Sequence, residues 1–393
     1  MFSLSTFIIN ASLPKILEIN TFNDFVYLFQ MILFLTTICQ FGIVISLYKY
    51  IAECKDSALN AFYVIISFIN SFLIGLGLIN NNFISELLKL GPLSLSEHFI
   101  FYLSVVVSSI FLYNKGKNIA EHSYKYMLKI SLSVFVLRIF SLMIISTFKI
   151  NRLELLMLLL FVFPFIFDIV DYVKKSCRFW NLISVNIPLI KRFLIYSFKV
   201  WVISTLFLVT DRIFLIATKN VDPIFTTAIA FSSGFVGIIA LFNTSLNNYF
   251  LSSFTTEKIS EIKMYVKKLK RYFICYFPIL LLICFSFALF FHVFYPTLGK
   301  NAVYVLFITL FRSGLLSYLG MFALLTKPLN LINIEIALNI LRLIVTCLLC
   351  LCWHPDSLLV WYAVVMFTIP FPELILSVWV NSKLKKYDDQ LGH

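Results

Sequence analysis

Apolar runs about 20 residues long recur along this chain at short intervals, and a helical run of that length matches the roughly 30 Å hydrocarbon core of a bilayer. Eleven are read directly: 25–47, 61–79, 97–114, 130–148 and 153–170, then 193–218, 223–251, 272–295, 302–326, 329–352 and 357–380. Residues 1–14 make a twelfth, too short to cross at 1.5 Å of rise per residue. It enters partway, is extended by residues 15–20, or begins late. Of the 393 residues, 61% are hydrophobic and 44 are Phe, more apolar side chain than a soluble core can hide. The expected fold class is therefore an all-α polytopic membrane protein of about 12 transmembrane helices, the first of them short.

The formal charge of +13 would suggest nucleic acid in a soluble protein. Here most cations fall in short loops between apolar runs, where membrane orientation explains them, so no nucleic-acid partner is expected. With both termini cytoplasmic, twenty-one of the 32 Lys and Arg lie in inner segments and six lie outside: Lys15, Lys89, Lys149, Arg152, Lys219 and Lys300. The same asymmetry supports the count of twelve spans.

The organisation expected is an N-terminal six-helix half (1–172), a cytoplasmic linker (173–190), a C-terminal six-helix half (191–381) and a cytoplasmic tail (382–393). Because six is even, the halves share one orientation, as parallel repeats do. Asp24 before the second span answers Asp222 before the eighth. In the inner segment 252–271, Ile259, Ile262, Tyr265, Val266 and Leu269 alternate with lysines, which reads either as a short amphipathic surface helix or as a solvated basic connector. The N-terminus lacks a basic region and a small-residue cleavage site, so it is read as mature sequence rather than a signal peptide.

Cys347, Cys350 and Cys352 beside His354 superficially resemble a metal cluster. Without a second cluster at zinc spacing they are read as packing residues, and no metal, cofactor or catalytic residue is expected. His98 and His292 are read as interfacial packing groups.

The central stretch is 191–255, where Lys199 and the Asp211-Arg212 pair interrupt apolar sequence and the polar group Asn243 to Asn248 closes the next run. Five cations lie within spans: Arg138, Lys199, Arg212, Arg312 and Arg342. Arginines at mid-membrane depth cost about 2.5 to 3.5 kcal/mol each on insertion scales, so they should face an interior; Lys199, nearer the inner end, could snorkel. The acids within reach are Asp211, Glu335 and Glu373, with Asp168 and Asp171 at the inner end of the sixth span. Asp211 and Arg212 are about 100° apart around a helix and should face different neighbours. Glu335, Asn339 and Arg342, at i, i+4 and i+7, fall on one stripe. That stripe is either a buried ion-pair strut or the wall of a hydrophilic cavity between the halves. In the second case Arg138 and Arg312 line the same cavity, and its positive surplus suits an anionic ligand. Pro164, Pro278, Pro370 and Pro372 should kink or interrupt their spans.

Several segments, taken in order, resemble a family. Phe41-Gly42 followed by Tyr48-Lys49-Tyr50-Ile51-Ala52-Glu53 resembles the end of the second helix in polysaccharide flippases of the multidrug/oligosaccharidyl-lipid/polysaccharide exporter superfamily. Tyr196-Ser197-Phe198 through Thr210-Asp211-Arg212-Ile213-Phe214-Leu215 resembles the seventh helix of those proteins, and 333–345 their Asn-punctuated eleventh. The Arg-aliphatic-Gly signature of the family's first helix is missing, since 13–26 contains neither Arg nor Gly. The resemblance implies a flippase of the bacterial inner membrane. Its substrate would be a polyprenyl-diphosphate-linked oligosaccharide repeat unit of O-antigen or capsule, and membrane lipids, a polysaccharide polymerase and its chain-length regulator would be its partners. The deep cations would then meet diphosphate and acidic sugars.

Two rivals stand beside it. A membrane-embedded polysaccharide polymerase, an enzyme, would need catalytic groups on a sizeable outer loop, whereas the longest outer segment, 80–96, offers only Glu86, Lys89 and a few polar groups. A small-molecule or drug exporter of the same superfamily would need an interior dominated by acids.

Overall fold

In the computed structural model the regular elements among the described residues are all helical. The structure describes residues 2–51, 55–79, 82–180, 187–219, 221–236, 239, 259–295, 299–323, 325, 332–353 and 355–391. In order they form α1 Phe2–Ile16, α2 Ile19–Cys39, α3 Ile43–Tyr50, α4 Lys55–Ile79, α5 Asn82–Leu87, α6 Leu95–Ala120, α7 Tyr124–Phe148 and α8 Leu153–Met157. There follow α9 Ile166–Trp180, α10 Ile187–Thr218, α11 Pro223–Val236, α12 Ile259–Phe294, α13 Gly299–Ala323, α14 Ile332–Cys352, α15 Leu358–Thr368 and α16 Phe371–Leu391.

Among the described residues, 10 helical stretches are long and apolar enough to cross a membrane. This is a multi-pass membrane protein. The two remaining expected spans correspond to α1 and α11. The 15 residues of α1 reach about 22 Å at the α-helical rise, short of a full crossing. The continuation of α11, with the polar group Asn243 to Asn248, lies outside the described residues, as do His354 and all of 252–258. Some hydroxyls inside the apolar helices are satisfied by carbonyls one turn back, as for Ser104 to Ile100, Ser141 to Leu137, Ser204 to Val200 and Thr309 to Val305. Those Ser and Thr therefore cost little there.

Among the described residues three spans are broken. In the sixth, a π-helical turn at Leu158–Val162 and a tight 3₁₀ turn at Phe163–Phe165 separate α8 from α9 at Pro164. In the twelfth, α15 ends at Thr368 and α16 restarts at Phe371 with Pro372 in its first turn, where its missing N–H costs nothing. In the second, α2 and α3 are separated by Phe41 and Gly42, both in the left-handed region at φ 47° and 65°. Pro278 is different: α12 runs through it without interruption.

The chain folds as two compact units, 1–208 and 209–393. In unit 1 the most enclosed span is α6, with 61% of its apolar window buried, packed on α4, α2, α3, α8 and α9. Its inward face is small or polar (Ser104, Ser108, Ser109, Gly116), which lets neighbours approach closely, and a Cβ on Gly116 would run into Val44. In unit 2 the equivalent is α13, 56% buried, packed on α12, α15 and α16, with Gly314 against Leu280. Each is the fourth span of its six, and each packs most extensively on the third, α4 or α12. The repeat that is faint in residue identity is plain in burial.

The division between the two units falls inside α10, whose first half packs on the α2–α3 break. The segment around 173–190 is largely helical, with only 181–186 outside the described residues. Residues 259–271 are not a separate surface helix but the start of α12, since nothing between Arg271 and Tyr272 stops helix propagation. Val266 and Leu269 are buried while Lys267, Lys268, Lys270 and Arg271 are exposed, so the amphipathic division itself holds.

Candidate functional site

The deep ionisable residues of unit 2 gather into two groups. In the first, α10 contributes Asp211 and Arg212 and α13 contributes Arg312. Arg312 Nη1 pairs with Asp211 Oδ1, and Arg212 Nε lies 3.6 Å from Asp211 Oδ2. One carboxylate is thus shared by two guanidiniums. The three side chains retain between 8 and 14% of their exposure. The Arg212 side chain folds back onto its neighbour, so the pair does not face apart as the 100° step implies; four side-chain torsions outweigh the difference in direction.

Packing holds this group in place. Phe214, one turn beyond Asp211, stacks edge-on against Trp361 and lies against Tyr362 of α15, at 4.8 and 5.3 Å between centroids. Thr309, one turn before Arg312, shares a 2.6 Å hydroxyl contact with Tyr362. Arg312 Nη1 also reaches Met366 Sδ at 3.2 Å.

The second group is the stripe on α14. Asn339, Arg342, Thr346 and Cys350 are buried in one row, with Glu335 half-buried at its end. Asn339 Nδ2 donates to the Glu335 carbonyl at 2.8 Å and its Oδ1 accepts from Arg342 Nη1 at 2.9 Å. Arg342 Nη2 pairs with Glu373 on α16, its side chain almost fully enclosed. The three residues share a face, and the carboxylate that pairs with Arg342 is Glu373 of α16. Seven residues span two helical turns, about 10 Å, too far for a direct pair along one helix, and α16 brings its acid alongside.

Arg138 belongs to unit 1. It is fully buried on α7, donating from Nη1 to Ser5 at 3.2 Å and Thr6 at 3.0 Å on α1, with its guanidinium 5.2 Å from the Phe165 ring centroid. It is therefore enclosed by α1 and by the tight turn at Pro164, and does not line an open cavity in this structure. Lys199 is exposed on α10. Asp168 is buried, and the Asn114 amide donates to its backbone carbonyl at 3.1 Å.

Ser5, Thr6, Thr309, Tyr362 and Met366 were not legible as partners. The spacing of Thr309 to Arg312 and of Tyr362 to Met366, one turn each, was the available signal. Among the described residues no group of His, Cys, Asp and Glu could hold a metal ion, and Cys350 packs as a buried side chain. His98 is buried with its ring 5.0 Å from that of Tyr102. Cavities of about 410 and 350 Å³ lie near Arg152 in unit 1 and near Lys300 in unit 2, away from the deep arginines.

No family model matches the chain, and no curated protein matches it in sequence. Solved structures match it in fold. A crystal structure of a MATE protein in the bent conformation aligns over 100% of this chain and 93% of its own, with a TM-score of 0.65 at 12% identity. A multidrug resistance MATE family transporter of the MOP superfamily, in an inward-facing conformation, aligns over 98% and 94% at TM-score 0.60 and 10% identity. A MATE protein in complex with MaD3S aligns over the same shares at TM-score 0.57 and 11% identity. The chain has the fold of MATE transporters.

Proposed function

We propose that this chain carries a polyprenyl-diphosphate-linked oligosaccharide across the bacterial inner membrane by alternating access, and that it is a transporter and not an enzyme. The observation that carries this reading is Asp211 shared between Arg212 and Arg312 within the spans α10 and α13. A single carboxylate between two guanidiniums leaves one positive charge in a low-dielectric setting, and guanidinium forks match phosphate oxygens bidentately. A binder of cationic drugs would instead need surplus acid at this depth. The fold of MATE transporters supports the transport step, and the resemblance in 41–53, 196–215 and 333–345 supports the lipid-linked substrate. A bare diphosphate faces a large desolvation barrier in hydrocarbon. Fixed guanidiniums presented to one side at a time lower that barrier, provided they hold the ligand unequally in the two states. Arg342, paired with Glu373 and held by Asn339, is the second cationic group of the same unit and would meet acidic sugars. Delivered to the far leaflet, the repeat unit becomes the substrate of a polymerase with its chain-length regulator.

Deleting the gene is expected to leave the lipid-linked repeat unit synthesised but confined to the inner leaflet, with surface polysaccharide lost. Single unpolymerised repeats displayed on the surface of the deletion strain would contradict flipping and favour a polymerase.

The orientation proposed places 173–190, 252–271 and the C-terminus in the cytoplasm. In a cysteine-depleted variant, single cysteines introduced at Asn181, Ser260 and Gln390 should each resist an impermeant maleimide in intact spheroplasts. Labelling of any one overturns the orientation.

A further inference from the structure

The break between α2 and α3 is held open by α10. Ending α2 at Cys39 frees carbonyls that an uninterrupted helix would satisfy, and in a membrane they need other donors. Cys39 O accepts the Tyr113 hydroxyl of α6 at 2.5 Å, and Ile38 O, which also takes the Phe41 N–H at 3.2 Å, accepts the Trp201 indole N–H of α10 at 2.8 Å. Phe41 sits at φ 47°, a strained region for a bulky residue. Its ring packs against Trp201 at 5.0 Å and Phe198 at 6.3 Å between centroids. Gly42 follows at φ 65° and touches α10 so closely that a Cβ would strike the Ser197 carbonyl. One turn on, the buried Ser197 hydroxyl donates to Ser46 at 2.7 Å, and Ser46 donates to the Gly42 carbonyl at 3.3 Å. At the end of α3, the Tyr50 ring meets Phe193 and Tyr196, and Lys49 Nζ lies 4.3 Å from the Tyr196 ring centroid.

This seam joins the second span to the first helix of the C-terminal six through hydrogen bonds, ring edges and a glycine contact. If α10 withdraws, Ile38 O loses the indole and Phe41 loses the rings that hold it left-handed. Both losses are relieved together if 39–42 becomes helical, because Ile38 O and Cys39 O can then accept from the Gly42 and Ile43 N–H groups one turn on. In the present state the Ile43 N–H is diverted to Gln40 O at 3.0 Å. We propose that the α2–α3 break is a latch with two states: broken while α10 is docked, and straightened when α10 leaves. The first half of α10 and the α2–α3 break lie in one compact unit, so the latch is a switch within that unit, which alternating access would have to throw. The latch rests on the alternating-access reading, but its opening is measurable without any substrate.

The test uses the full-length, cysteine-depleted protein in proteoliposomes. Ser197→Cys should react with a small maleimide over time, while Ala58→Cys, in the packed core of the same unit, stays protected. Trp201→Phe keeps the ring but removes the indole donor, and should speed Ser197→Cys labelling about fivefold, the population shift that losing one net hydrogen bond brings. Gly42→Ala should speed it further; should that variant fail to fold, the Trp201→Phe comparison stands alone. Oxidising Ser46→Cys/Ser197→Cys should stop labelling at an added Phe41→Cys and stop lipid transport, both restored by reductant. Labelling that opens and locks as described, in a protein that moves no lipid-linked sugar, supports the latch and rejects only the substrate. Ser197→Cys as protected as Ala58→Cys in both variant backgrounds, or unchanged transport by the oxidised pair, overturns the latch.

Discussion

Asp211→Ala is expected to abolish accumulation of folded protein. The substitution leaves Arg212 and Arg312 adjacent in the membrane interior without the carboxylate they share. Removing one partner of a buried pair costs about 3–5 kcal/mol, a large share of the 5–15 kcal/mol that separates a typical domain from its unfolded state. Asp211→Asn/Arg312→Met should recover much of the folded yield, because the second change removes one of the two stranded charges, returns the group to its original net charge and packs a Met beside Met366. Heating in detergent followed by size-exclusion chromatography reads the stability, and surface polysaccharide reads the function. The double variant should fold yet fail to export, since half of the proposed phosphate clamp is gone. Arg312→Lys separates the two roles further: it keeps the charge paired but loses the bidentate fork, so it should fold while export falls about tenfold.

Arg342→Ala should be comparably damaging, and the identity of its suppressor is diagnostic. The structure places Glu373 against Arg342, with Asn339 bridging to the backbone at Glu335. Truncating the arginine strands Glu373, again at about 3–5 kcal/mol, so Glu373→Gln introduced into Arg342→Ala should restore folded protein and Glu335→Gln should not. The reverse pattern would make Glu335 the partner of Arg342. Non-additivity in the Arg342→Ala/Glu373→Gln cycle measures the coupling directly.

What the sequence discloses here follows the range of the physics. Helix positions were legible because hydrocarbon thickness fixes a length and burial fixes a composition, both local properties of the chain. The Asn339–Arg342 stripe was legible because its periodicity lies within one helix. Its counter-ion was not, because Glu373 comes from α16 and only packing brings it alongside. The breaks at Pro164 and Pro370 announced themselves by a missing N–H, whereas Pro278 lies in a continuous helix. The break at Phe41-Gly42 left only a glycine as a clue, since a left-handed phenylalanine is imposed by its neighbours in space. The twofold pattern of the chain is likewise clearer in the enclosure of α6 and α13 than in any residue match.

The central claim is that this chain moves an anionic, lipid-linked oligosaccharide from one leaflet to the other. Reconstituting the full chain into vesicles that contain a polyprenyl-diphosphate-linked oligosaccharide, and following the sugar's accessibility to an external impermeant glycosidase, measures that movement directly. With the protein present, digestion should proceed past the outer-leaflet half towards completion, and Asp211→Asn/Arg312→Met should hold it at that half. Digestion that stops at the outer-leaflet half with folded, unaltered protein would contradict the account.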